Sequence, residues 1–154
     1  MTTRFPERCL PRLPVKTVQY TLEIARPVPE VFSAWCDFEG YPRFMETVQE
    51  VRSEDGERLK WRADIHGQQV EWESLITVRI PNQRLAWRVL GGDSSSGAIT
   101  TEAVGAHTQL TLQFGYTPEA PWGGMEETEV RDLTVRALER FKEMFESGGS
   151  HSAS

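Results

Sequence analysis

The hydrophobic pattern of this chain changes period twice. Val18, Tyr20, Leu22 and Ile24 alternate with Thr17, Gln19, Thr21 and Glu23. A period of two predicts a half-buried strand. In RPVPEVFSAWCDF the period lengthens. Val28, Val31, Phe32 and Trp35 fall at i, i+3, i+4 and i+7, so one helical face is apolar. Pro29 suits a first helical position and Glu30 suits the positive end of the helix dipole. The helix is predicted to stop near Asp37, because Gly40 and Pro42 follow. A second short helical turn is predicted around Tyr41 to Met45, with Gly40 and Pro42 supplying the bend between the two.

Period two then returns for most of the chain. Val48 to Arg52 leads into Asp55-Gly56, a hairpin signal. Leu59, Trp61, Ala63 and Ile65 alternate with Lys60, Arg62 and Asp64. After HGQQ, the residues Val70, Trp72, Ser74, Ile76, Val78 and Ile80 read as one face of a long strand, against Glu71, Glu73, Thr77 and Arg79. Pro81-Asn82 turns the chain into Leu85, Trp87 and Val89. The run Gly91 to Gly97 reads as a flexible loop, 98–104 as a weaker strand, and Leu110, Leu112, Phe114 and Tyr116 as a strong last strand. Short links imply antiparallel neighbours, and clean alternation implies one wet face and one core face.

From Met125 the period is helical again. Val130, Leu133, Ala137, Leu138, Phe141, Met144 and Phe145 share a stripe, acids crowd the first turns, and Gly148-Gly149 marks the expected end. About 22 residues at ~1.5 Å each give a rod of roughly 33 Å, long enough to cross a sheet. The fold class expected is α+β: a seven-stranded curved antiparallel sheet with a long C-terminal helix across its concave face and two short helices after the first strand. Residues 1–14, with Pro6, Pro11 and Pro14, read as an N-terminal arm that is a candidate for homodimer contacts. Residues 15–147 read as the domain, and 148–154 as a disordered tail.

Composition narrows the partners. A length of 154 residues suits one domain with a real core. The formal net charge of −6 argues against nucleic acid as the main partner. No apolar run approaches the ~20 residues of a membrane span, and the first residues lack the apolar stretch of a signal peptide. A cytoplasmic setting is expected. Cys9 and Cys36 have no CxxC spacing and no clustered histidines, so no metal site is expected. No Gly-rich loop opens a helix, and neither GxSxG nor HExxH occurs, so no cofactor is expected.

These elements carry a resemblance. The first strand ending in ARPVPEVFSAWCDFEGYPRFM, the middle hairpins EVRSEDGERLKWRADIHGQQVEWESLITVRIPNQRLAWRV, the segment SSSGAITTEAVGAHTQLTLQFGYTP and the helix ending ERFKEMFES together resemble the START-like (SRPBCC) superfamily. That superfamily is also called helix-grip or Bet v 1-like. It includes polyketide cyclase/dehydrase and coenzyme Q-binding branches. The resemblance covers roughly residues 15–147. It implies a cavity between sheet and long helix that takes an apolar or amphipathic ligand such as a lipid or quinone. In other members the same cavity cyclises polyketide chains.

The residues themselves weigh these readings. Asp64 with His66, and Glu71 with Glu73, have strand spacing that could build an acid–base pair. Both pairs alternate against Trp61, Ile65 and Trp72 and should face water. His66 and His107 sit in turns and His151 in the tail. Polar groups on apolar faces are the better candidates: Ser74 between Trp72 and Ile76, and Tyr20 and Tyr116 on the first and last strands. A buried hydroxyl needs a partner, and that partner is protein, water or a ligand. Trp61 and Trp87 read as core. Trp122, on a Gly/Pro loop, reads as a lid or as packing against the helix start. Trp35, Phe38, Tyr41, Phe44, Trp72, Trp122 and Met125 are expected to line or gate the cavity, with Ser74 and Tyr116 offering hydrogen bonds. Three functions stay open: binding of a small apolar or amphipathic molecule, a polyketide cyclase/dehydrase activity in the same cavity, and a filled-core structural or partner-binding domain. Ile76 stands two after Ser74, where some cyclases of this type carry an arginine. This departure weighs against the cyclase reading.

Overall fold

The alternating segments of the chain pair into a single antiparallel sheet. A computed structural model describes residues 16–90, 95–117, 120, 122 and 125–153, with side chains described as far as Glu146. The expected arm therefore lies outside the described residues, as does most of the expected loop before Gly97.

The strands are β1 (Lys16–Ile24), β2 (Val48–Ser53), β3 (Arg58–Ile65), β4 (Gln68–Ile80), β5 (Arg84–Val89), β6 (Ser96–Val104) and β7 (His107–Tyr116). Their order across the sheet is β1-β7-β6-β5-β4-β3-β2. Helix α1 (Val28–Trp35) and a 3₁₀ helix (Phe38–Arg43) follow β1, and helix α2 (Glu127–Ala153) closes the chain. This is the α+β helix-grip architecture.

Local chemistry explains the joints. His66 and Gly67 link β3 to β4 with φ of 54° and 82°. Two central residues with positive φ make the hairpin turn whose twist matches the strands. Asp55 Oδ1 accepts the backbone N–H groups of Glu57 and Arg58 at 2.9 Å each, closing the β2–β3 turn. Helix α1 buries Val31, Phe32 and Trp35, the face its periodicity marked.

Four expectations are corrected. The second helical turn lies at Phe38–Arg43 and is 3₁₀, three residues earlier than Tyr41 to Met45, with Gly40 and Pro42 inside it. Proline's missing N–H costs little in so short a run, where few backbone groups are paired internally. The bend instead falls at Asp37. Second, Val78 and Ile80 leave the core face. The β4–β5 register slips between Ile76 and Val78, which pair with Trp87 and Ala86. One extra residue flips everything after it. Ile80 is consequently 43% exposed. Arg79 instead pairs with Leu85 on the inner side, lies 5.6 Å over the Phe38 ring and donates to Gly56 O at 2.6 Å. Third, α2 passes through Gly148-Gly149 to Ala153. Glycine costs a helix ~1 kcal/mol but has no ring to block the next turn. Fourth, and for the same reason, the backbone of Gly148 to Ala153 is helical where a disordered tail is expected.

The core sits between the concave face, α1 and α2. Ile24, Leu59, Leu85, Ile99, Leu110 and Leu138 are each 2% exposed or less. The aromatic stretch from Trp35 to Phe44 closes one end. Phe38 and Tyr41 rings lie 5.9 Å apart, and Tyr41 and Phe44 lie 5.6 Å apart. Trp35 meets Tyr41, Phe44 and Phe141 at 5.4, 5.1 and 4.9 Å. These rings meet one another, as core.

A tryptophan-walled cavity as the candidate functional site

Beyond that plug the core does not close. A cavity of about 200 Å³ lies between the middle of the sheet and α2. Strand alternation builds its floor. Trp61 and Trp72 are direct cross-strand partners on β3 and β4, with indoles parallel at 5.5 Å and 8°. Ile76 pairs with Trp87, and Phe114 of β7 borders the same space. Leu133, Thr134 and Ala137 of α2 form the roof. Trp122 meets Trp72 edge-on at 5.5 Å at the side where the chain enters α2.

Seven of the nine sequence-predicted residues border the cavity: Trp35, Phe38, Tyr41, Trp72, Ser74, Trp122 and Met125. Phe44 and Tyr116 do not. Phe44 is 3% exposed and spends its ring on Trp35, Tyr41 and Phe141. Tyr116 belongs to a smaller buried cluster with Val18, Ala120 and Val130. Its hydroxyl has no partner among the described residues, and burial raises its pKa. Tyr20, the other flagged tyrosine, donates to Glu139 at 2.5 Å and is tied to α2.

The sequence reading missed Trp61, Trp87, Ile76 and Phe114 as cavity wall. Their alternation with Trp72 and Ser74 was visible, but alternation marks only the face of a sheet. It does not say whether that face meets a side chain or a gap.

Ser74 is the polar feature of the apolar floor. It is 1% exposed and accepts the Trp61 Nε1–H at 2.9 Å. That bond occupies one lone pair and leaves the hydroxyl its own proton to donate. Tyr41 donates to the Trp35 carbonyl at 2.5 Å, and burial pushes its phenol well above 10.0. Among the described residues the cavity lining holds one ionisable carboxylate, Glu46. Arg136 binds it at 3.0 and 3.3 Å, and this holds the carboxyl below its ordinary value. His66 meets Glu129 at 2.8 Å, a further tie between the sheet side and α2.

The paired acid–base candidates stay outside. Asp64, His66 and Glu71 are exposed, and Glu73 binds Arg58 at 3.0 Å. Arg62 binds Glu50 at 3.0 Å, and Arg88 is exposed. Among the described residues, no three of His, Cys, Asp and Glu gather as metal ligands, and no helix is long and apolar enough to cross a membrane.

The family model for polyketide cyclase / dehydrase and lipid transport matches residues 24–141. The chain belongs to this family. An uncharacterized 17.2 kDa protein of Streptomyces lincolnensis is 28% identical to this chain over 139 residues, covering 88% of this chain and 93% of the relative. A START superfamily protein from Mycobacterium smegmatis shares the fold at a TM-score of 0.65 and 18% identity, covering 90% of this chain and 99% of that one. The Zhui aromatase/cyclase of Streptomyces sp. R1128 superposes at 0.61 with 23% identity, over 82% of this chain and 86% of the other.

Proposed function

We propose that this protein binds a small hydrophobic molecule, of the lipid, quinone or polyketide-like kind, in the cavity between the sheet and α2. One observation carries the reading: an open apolar space whose only carboxylate among the described lining residues, Glu46, is paired with Arg136. An apolar ligand gains ~25 cal/mol per Å² of buried apolar surface there. A charged one would lose its hydration with no partner. Trp72, Trp122 and Met125 contact the ligand, and Ser74 offers one hydrogen bond.

The cyclase alternative finds less support. General acid–base chemistry needs a positioned proton carrier. No histidine or arginine of the described residues borders the cavity. The filled-core alternative does not account for the open volume. The test is native mass spectrometry of protein purified from its own host, with lipid extraction, beside a thermal-shift panel of quinones and lipids. A co-purifying apolar molecule that raises the melting temperature is expected. An empty protein unmoved by the whole panel refutes binding. Turnover of a linear polyketide mimic by the purified protein would favour the cyclase reading.

A further inference from the structure

Three strands of the cavity floor meet in one row. Gly97 of β6 pairs with Trp87 of β5 on one side and with Phe114 of β7 on the other. A Cβ built on Gly97 would stand 2.7 Å from Trp87 Cζ2, 2.6 Å from Phe114 Cβ and 3.0 Å from the Gln113 carbonyl oxygen. Carbon atoms rest at about 3.5–4.0 Å, so no side chain fits. The glycine is required by close approach, not by its backbone angle. Its absent side chain lets the Trp87 indole lie across β6 towards Phe114. The floor is low there because Trp87 is down.

The rest of the wall has a matching character. Trp61 and Trp72 stack on each other with parallel indoles and border the same space. The roof facing them is Leu133, Ala137 and Thr134, whose hydroxyl donates to the Val130 carbonyl of its own helix. The volume sets a size. A dry apolar cavity of about 150 Å³ takes benzene, six carbons. In proportion, about 200 Å³ encloses roughly eight heavy atoms, and the open side of the cavity lets a two-ring molecule of about eleven seat with one edge at the mouth. Drug-sized ligands occupy pockets of about 300–1,000 Å³.

We propose that the cavity selects flat, uncharged aromatic molecules of one or two rings, and that Gly97 sets this limit by letting Trp87 lie flat. The inference rests on the binding reading. The Trp87 indole laid over Gly97 offers a planar ring one flat face to stack on, while a flexible chain loses rotamer freedom to fit the same slot. A sixteen-carbon chain needs about twice the available space by the same proportion. Ser74 supplies a polar contact, to a hydroxyl or carbonyl on the ring.

The experiment titrates the full-length protein with phenol, 2-naphthol, 9-phenanthrol and palmitate, read by calorimetry and by quenching of tryptophan fluorescence. The expected result is that 2-naphthol binds at least about tenfold tighter than 9-phenanthrol or palmitate. Gly97→Ala forces Trp87 up into the cavity and weakens 2-naphthol by about tenfold or more. Circular dichroism checks that this variant folds. Where it does not fold, Trp87→Leu reads the same limit from the other side, and 9-phenanthrol should gain about tenfold over the wild type. Palmitate or 9-phenanthrol binding the wild type as tightly as 2-naphthol overturns this inference and leaves the binding reading standing. Folded variants with unchanged preference overturn the role of Gly97. Failure of every probe, ring and chain alike, defeats the binding reading itself.

Discussion

Phe44 and Trp72 were both expected at the ligand site, and alanine at each separates core from wall. Phe44 is 3% exposed and its ring touches three others, Trp35, Tyr41 and Phe141, at 5.1, 5.6 and 5.0 Å. Truncating a buried phenylalanine costs ~3–5 kcal/mol, because the lost contacts leave a hole the neighbours only partly fill. Trp72 is half-buried, held by Trp61 on one face and Trp122 at its edge, with the cavity beside it. Removing it enlarges a space that already exists, and half the burial suggests roughly 1–2 kcal/mol. In a domain of this size, each kcal/mol moves the melting temperature by about 2–4 °C. Phe44→Ala should therefore lower it by roughly 6–20 °C, and Trp72→Ala by roughly 2–8 °C. Binding should show the reverse order. Trp72→Ala loses affinity for an aromatic probe, and Phe44→Ala, assayed well below its melting temperature, keeps it. Thermal denaturation by far-UV circular dichroism and a fluorescence titration measure both. If Trp72→Ala melts as low as Phe44→Ala, the half-buried indole is core and the cavity assignment fails.

Ser74→Val keeps the shape but leaves the Trp61 N–H without its acceptor, which should cost ~1–3 kcal/mol in urea unfolding. Trp61→Phe with Ser74→Val should recover part of that loss, since both polar partners are then gone. Tyr41 gives an alkaline signature. Its folded pKa lies well above 10.0, so its stabilising contribution is full below pH 10 and is lost as the pH rises beyond that, where the unfolded chain ionises first. Tyr41→Phe should flatten stability above pH 10 while costing ~1 kcal/mol at neutral pH through the unpaired Trp35 carbonyl. At the acid end, Lys142 and the Ala25 N–H hold the Glu146 carboxylate below its ordinary 4.5. Its contribution is present above pH 4.5 and is lost as pH falls through the lowered value, and Glu146→Gln should shrink that acid slope.

The alternation of apolar residues carried the seven strands, and the i, i+3, i+4 spacing carried α1 and the stripe of α2. Both follow from local geometry, since side chains alternate across a strand and return every 3.6 residues on a helix. Position along the chain also told which faces were inward, as far as Ile76. It failed at the next residue. The slip between Ile76 and Val78 is a property of β4 paired with β5, and period two gives no sign of it. The 3₁₀ helix was misplaced for a related reason. Gly40 and Pro42 read as breakers, yet the short turn tolerates both because Tyr41 and Phe38 are anchored by the rings around them.

The site divides along the same line. By itself, the sequence determined the aromatic inventory and the serine between Trp72 and Ile76 on an apolar strand face. These are one-dimensional facts, written by the strand period. Only the tertiary structure decided which aromatics meet one another and which face open space. Phe38, Tyr41 and Phe44 close into a plug, while Trp61, Trp72 and Trp87 lie a strand apart with α2 held off above them. Whether a ring is core or wall depends on what stands opposite, tens of residues away in the chain. Gly97 marks the difference most plainly. In the chain it is a small residue at the start of a weak strand, and in the sheet it is the gap that holds Trp87 down.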